Sequence, residues 1–335
     1  MRKVLFVLTL CFYFQTVPKV LIFTYAYNRP DFIEMQHKTF QKFLQDDYEF
    51  VVWNDAPKKN MQKEIEGICE KYHIHCIAIP QEIHDKPYLK RPLSGPLSPY
   101  HAAPVRNSNV VQYSLDSVGF DHDDIVVLID SDLFLIKNFS FSQYLDGFDL
   151  AGNKLQCDKQ WYTHTCDKAH PEIEPFHYLW IGLVFLNVKT MPNKRTIDFN
   201  CGYLYNNVLM DAGGFTHYYL RDNQNAKIKS FDRRSLEPEK NKLPFLICPD
   251  CAKKPKPAPP CTHNTKNLKH LGLENKTIEM IKSMPLFGNH GRSIELFLDG
   301  IFLHYRGGTN YNKLSQEYHK QKMEVVENFM EAILL

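Results

Sequence analysis

The sequence has almost no excess of charge: 40 lysines and arginines stand against 38 acidic residues, a formal net charge of +2. The lysines are scattered and form no long basic block. A field strong enough to make nucleic acid the natural partner is thereby excluded. No apolar run reaches the ~20 residues that a helix needs to cross a bilayer, and no internal repeat is visible. Nine cysteines in 335 residues are too few for a disulfide scaffold. What is present is the composition of an ordinary globular protein, 44% hydrophobic and 23% charged. The length suits one large α/β domain with insertions, or two modest domains.

At the N-terminus, Arg2 and Lys3 precede an apolar run from Val4 to Phe14. This resembles a secretory signal or short hydrophobic anchor over 1–17. No small-x-small cleavage site follows, since Gln15, Thr16, Val17 and Pro18 come next. The competing reading is a first strand or buried helix. A signal or anchor is preferred because a separate strand begins at Lys19, so the expected location is secreted or membrane-associated, with cytoplasmic as the alternative. Asn138-Phe139-Ser140 and Asn275-Lys276-Thr277 are formal glycosylation sequons.

From Lys19 the apolar pattern alternates in type. Strands are expected at 19–25, 48–53 and 74–79, with helices at 31–44 and 58–72 between them. Strand, helix, strand, helix, strand predicts a mostly parallel central sheet with helices on both faces. Ligands of such sheets sit outside the carboxyl ends of the strands, which draws attention to Tyr25, Asn28, Asn54 and Asp55. A proline-rich loop covers 80–104, and a helix is expected over about 105–118 with Arg106 in its first turn. Further strands are expected at 124–129, 180–188 and 298–305, and a closing amphipathic helix at 312–334. The organisation that follows is a binding region over 18–229, a lysine- and cysteine-containing insertion over 230–284, and a C-terminal part over 285–335 that completes the domain.

The strand Asp124–Ile129 (DIVVLI) runs straight into Asp130-Ser131-Asp132. Residues two apart on a strand point to one face, so two short carboxylates converge there. They suit a hard divalent cation, Mn²⁺ or Mg²⁺, which prefers oxygen ligands. Such a cation can bridge the two phosphates of a nucleoside diphosphate and offset charge on a leaving group. Asp-x-Asp alone also occurs as two solvated aspartates in a turn. Its place at the end of a buried strand favours the metal.

These segments resemble glycosyltransferases of the GT-A fold, a Rossmann-like α/β architecture. IVVLIDSDLFLIKN looks like the family's metal motif in its setting, and KVLIFTYAYNRPDF like its first strand and donor-binding turn. VRNSNVVQYSLDSV looks like the helix before the motif, and WIGLVFLN like the strand bearing a glycine, here Gly182, near the transferred sugar. The likeness runs from about Lys19 to Tyr311, with the insertion unmatched. It implies a metal-dependent transfer from a nucleotide-sugar, with UDP-sugars favoured, to a glycan, protein or lipid acceptor. It also implies that His304 joins Asp130 and Asp132 on the metal, with Ser131 between them. A histidine simply packed at a strand end is the alternative.

Around that centre, Thr24, Tyr25 and Arg29 follow the first strand and Asn54 and Asp55 the second. There a ring can stack on a base while an amide or carboxylate reads its edge. Arg106 either pairs with Asp130 or reaches the donor, and Arg306 with the glycines after it can approach a diphosphate. Asp211, before Ala212-Gly213-Gly214, is the first choice for the catalytic base of an inverting reaction. A helix cap or turn is the alternative for it, and a retaining enzyme needs no such base. Cys248, Cys251, Cys261 and His263 supply four ligands for a structural Zn²⁺; disulfides are an equal reading if the protein is exported. A nucleotidyltransferase is the competing enzyme, but its glycine-rich phosphate loop is missing from TYAYNRP. A non-catalytic carbohydrate- or protein-binding module on the same fold is the other alternative.

Overall fold

The computed structural model describes residues 19–85, 88, 102–157, 176–204, 208–231, 233–238, 244–247, 275, 295–305, 307–308 and 316–335. The expected signal or anchor at 1–17, Arg306, and the cysteine cluster Cys248, Cys251, Cys261 and His263 lie outside them. Among the described residues no helix is long and apolar enough to cross a membrane.

The chain opens with β1 (Val20–Ala26), α1 (Pro30–Phe43), β2 (Tyr48–Asn54), α2 (Lys59–Lys71), β3 (His75–Ala78) and the short α3 (Gln81–Asp85). α4 (Ala102–Ser117) leads to β4 (Ile125–Ile129), β5 (Leu133–Leu135) and one turn of helix, α5 (Phe141–Tyr144). Then come β6 (Leu150–Cys157), β7 (Phe176–Asn187), the hairpin β8 (Gly202–Leu204) and β9 (Val208–Met210), α6 (Thr216–Asp222) and β10 (Ile228–Ser230). β11 (Arg233–Pro238), β12 (Pro244–Ile247), β13 (Glu295–Phe297), β14 (Phe302–His304) and α7 (Gln316–Leu334) close the chain.

Seven strands form the central sheet in the order β10-β6-β7-β4-β1-β2-β3. The block β4, β1, β2 and β3 is parallel throughout, and β7 runs antiparallel to both β4 and β6. Alternation along β1 sorts its side chains: Val20, Ile22 and Ala26 face α1 and α2, while Leu21, Phe23 and Tyr25 face α3 and α4. Both faces are therefore dry, as the near-continuous apolar strands require. This is the α/β class expected from the sequence, a mostly parallel sheet covered on both sides.

α1 begins with Pro30, has Asp31 in its first turn and Lys42 in its last, and so agrees with the helix dipole at both ends. Its buried face is Phe32, Ile33, Gln36, Thr39 and Phe40, so two polar side chains lie among the apolar ones. Full burial of Phe40 alone is worth about 1.5–3 kcal/mol.

A second, antiparallel sheet has the order β12-β11-β13-β14-β5. Two of its strands, β11 and β12, come from the segment expected to be an insertion. β5 is separated from β4 only by Asp130-Ser131-Asp132, so the chain passes from one sheet to the other at that motif.

Candidate metal and donor site

The crossing between sheets builds the site. Asp130 N donates to Gly182 O at 2.8 Å, and Leu133 N returns to Asp130 O at 3.1 Å, closing a tight turn. The two carboxylates therefore converge because the chain turns between them, not because they share a strand face as the sequence suggested. β14 brings His304 into register with Leu133, one residue beyond Asp132. His304 Nε2 lies 3.2 Å from Asp132 Oδ1. Tyr305 N donates to Asp132 O at 2.8 Å, and Gly308 N to Asp132 Oδ2 at 2.9 Å. A Cβ on Gly308 would meet Phe32 at 2.5 Å, so only glycine lets this amide close on the carboxylate.

Asp130, Asp132 and His304 each offer a ligand atom, and these atoms lie within 4.8 Å of one another. Two hard oxygen donors suit a hard divalent cation such as Mn²⁺, which also accepts an imidazole. The electrostatics fit as well. Burial, then the neighbouring Asp132 carboxylate, push Asp130 up to about 7; His304 opposes this and Asp211 adds to it. A cation bound there would favour the charged form of both carboxylates. Gly182 is required here too, because a Cβ on it would lie 2.4 Å from Asp130 Oδ2 and 2.2 Å from the Trp180 ring. Trp180 stacks on Phe297 at 5.0 Å and leans on His304 at 5.4 Å, so an aromatic wall stands beside the triad.

The nucleoside candidates are distributed differently from expectation. Tyr25 points into the core, where its hydroxyl bonds Ser114 Oγ at 2.8 Å and burial raises its pKa strongly. It offers no ring to a ligand. Thr24 is fully buried. Asn54 is committed to the local chain, donating to Gln62 O at 3.0 Å and accepting from Ala56 N at 3.2 Å. Arg106 pairs with Asp55, not with Asp130: its guanidinium lies 2.9 Å from Asp55 Oδ1, and its Nε donates to Oδ2 at 3.0 Å. Burial still pushes Asp55 up to about 7 against the pull of Arg106. The guanidinium sits 5.1 Å over Tyr27, a ring that the sequence reading passed over. Arg29 folds back on Asp31 at 2.9 Å and lies 3.8 Å over Phe32, bracing the start of α1 beside Tyr305.

Asp211 is near enough for its charge to act on Asp130, and its Oδ1 accepts from Ala212 N at 2.8 Å. It thus caps its own turn. Gln36 left no mark in the sequence, yet it reaches the motif's backbone from α1 across 94 positions. Gly308, read in the sequence as a glycine that can approach a diphosphate, donates to Asp132 across 176 positions.

No protein-family model matches the sequence, and no curated protein does. Solved structures do. A galactosyltransferase, LgtC, in complex with donor and acceptor sugar analogs, aligns over 63% of this chain and 72% of its own, with 13% identity and a TM-score of 0.36. The mannosyltransferase PcManGT of Pyrobaculum calidifontis, in complex with GDP-Man and Mn²⁺, aligns over 64% of this chain and 55% of its own, with 11% identity and a TM-score of 0.37. Core-mannan synthase A of Aspergillus fumigatus, in its Mn/GDP form, aligns over 50% of this chain and 59% of its own, with 7% identity and a TM-score of 0.33. The alignment spans less than two thirds of the last two proteins. The α/β architecture of this chain rests on its own strand order.

Proposed function

We propose that this chain is a glycosyltransferase that moves a sugar from a nucleoside-diphosphate sugar to an acceptor, with a divalent metal held by Asp130, Asp132 and His304. One observation carries this reading: three ligand atoms of those residues gather within 4.8 Å of one another, just past the carboxyl end of a parallel strand. Held by these three residues, a cation would supply positive charge to the diphosphate leaving group. The chain's own groups do the rest. Ser131 lies between the carboxylates, and Gly182 lets the Asp130 carboxylate and the Trp180 ring pack closely. Asp55 and Tyr27, just past the neighbouring strand ends, and Arg106 of α4 are assigned to the nucleoside, and Arg306 to the phosphates. The acceptor hydroxyl loses its proton to Asp211 as its oxygen bonds to the anomeric carbon, and the bond from that carbon to the diphosphate oxygen breaks. A UDP-sugar is the first donor to try.

The test is nucleoside diphosphate release from a panel of uridine- and guanosine-diphosphate sugars, with Mn²⁺ and with EDTA, for wild type and Asp132→Asn. Release that needs the metal, favours one donor and vanishes in the variant supports the reading. If neither donor nor nucleoside diphosphate binds in Mn²⁺, the chain is a binding module and the enzyme reading is abandoned.

A further inference from the structure

α1 sends one polar side chain into the core. Gln36 is fully buried on the face it shares with Phe32, Ile33, Thr39 and Phe40. Its Nε2 donates to Asp130 O at 2.9 Å and to Leu133 O at 2.9 Å. Both partners are carbonyl oxygens, which only accept, so the orientation of the amide is fixed by chemistry. These are the first and last residues of the turn that Leu133 N closes onto Asp130 O. Gln36 therefore bridges the two ends of the turn that carries both carboxylates, and anchors it to a helix of 14 residues. The Oε1 of the same amide is buried with no partner among the described residues. A buried oxygen without a donor is unfavourable. An apolar side chain would fill the volume without that cost, so the advantage of an amide here lies in its two bonds to the turn.

We infer that Gln36 is a positioning residue of the metal site. By tying both ends of the turn to α1 it sets the separation of the Asp130 and Asp132 carboxylates before a cation arrives. This rests on the metal reading given above. The other supports of the turn, Asp130 N to Gly182 O and Tyr305 N to Asp132 O, come from β7 and from the end of β14. Gln36 is the tie that comes from the α1 side.

The experiment is a Mn²⁺ titration of the full chain, followed by electron paramagnetic resonance, with no nucleotide present. Gln36→Met keeps the length and removes both donors. Its Mn²⁺ affinity should fall about 10-fold or more, and the bound signal should broaden as the carboxylates lose a fixed separation. Thr39→Val is the control, because its hydroxyl bonds Gln36 O within the same buried helix face but does not touch the turn. It should lower the melting temperature and leave Mn²⁺ affinity unchanged. Should Gln36→Met fail to fold, Gln36→Glu keeps the size and turns an oxygen toward the two carbonyls, and the same readouts apply. A folded Gln36 variant with wild-type affinity and spectrum overturns the inference, and so does a Thr39→Val that weakens Mn²⁺ equally. Wild type that binds no Mn²⁺ overturns the metal reading itself, and the inference falls with it.

Discussion

Asp46 and Asp132 are both nearly buried carboxylates, 8% and 6% exposed, yet their surroundings differ in kind. Asp46 lies under the first turn of α5. It accepts from Ser140 Oγ at 2.9 Å, Phe141 N at 2.6 Å, Ser142 N at 3.3 Å and the Ser142 hydroxyl. All these donors come from one short stretch of chain, and the group caps a helix end. Asp132 accepts from the Gly308 amide and lies beside the His304 imidazole, and its neighbour is a second carboxylate that it pushes upward in pKa. A buried acid supplied with neutral donors holds structure. A buried acid set against another acid has repulsion to offset, and the proposed metal would offset it.

Substitutions should separate the two acids cleanly. Asp132→Asn keeps shape and removes charge. Metal-dependent nucleoside diphosphate release should fall by about a thousandfold or more, on the order of 4 kcal/mol, while the melting temperature stays near wild type. Activity surviving in this variant would mean that the paired acids are not a metal site. Gly182→Ala comes next. Its new Cβ would stand 2.4 Å from Asp130 Oδ2 and 2.2 Å from Trp180, which Phe297 holds in place. Overpacking of this kind costs about 1–3 kcal/mol, and here it should appear as Mn²⁺ bound about 10- to 100-fold more weakly. Isothermal titration with Mn²⁺ decides it. Asp46→Ala should do the opposite. It strands the α5 amides and hydroxyls, costing about 1–3 kcal/mol in a denaturant melt, with Mn²⁺ affinity unmoved. Any loss of Mn²⁺ binding there would erase the contrast between the two acids.

How much of this was readable in advance follows the range of the interactions. β1 through β3, α1 and α2 were legible because apolar period and turn residues are local. Asp130 and Asp132 were legible because a buried strand ends beside them. His304 was legible only through family likeness, and its position depends on β14 pairing with β5 across more than 160 residues. The nucleoside side was less legible, because strand-end position does not tell which way a side chain points. Tyr25 turns inward to Ser114, and the next ring along, Tyr27, lies under Arg106. Asn54 and Arg29 were read as ligand groups, but both are committed to neighbouring chain. The expected strand at 298–305 is broken by a 3-10 turn at Leu298–Gly300, with Leu298 at φ 50 and Gly300 at φ 84. That break separates β13 from β14 and lets His304 reach the turn.

The smallest effect concerns pH, and it too sets Asp130 apart. Burial and Asp132 hold the Asp130 carboxyl at about 7, against an ordinary 3.8. Between those values the unfolded chain has released this proton while the folded chain keeps it. The group's contribution to stability is therefore full below the ordinary value and is lost as pH rises toward 7. Mn²⁺ reverses the direction, because the cation takes the place of the proton. Affinity for Mn²⁺ should rise by about tenfold between pH 6 and pH 8 and then level off, with a proton released on binding at the acid end. Calorimetry in two buffers of different ionisation enthalpy measures that release directly. A flat affinity across this range, with no proton released, would mean that Asp130 is already ionised without the metal. The two carboxylates would then have their compensating charge from within the chain, as Asp46 has its donors, and the distinction drawn between the two acids would not hold.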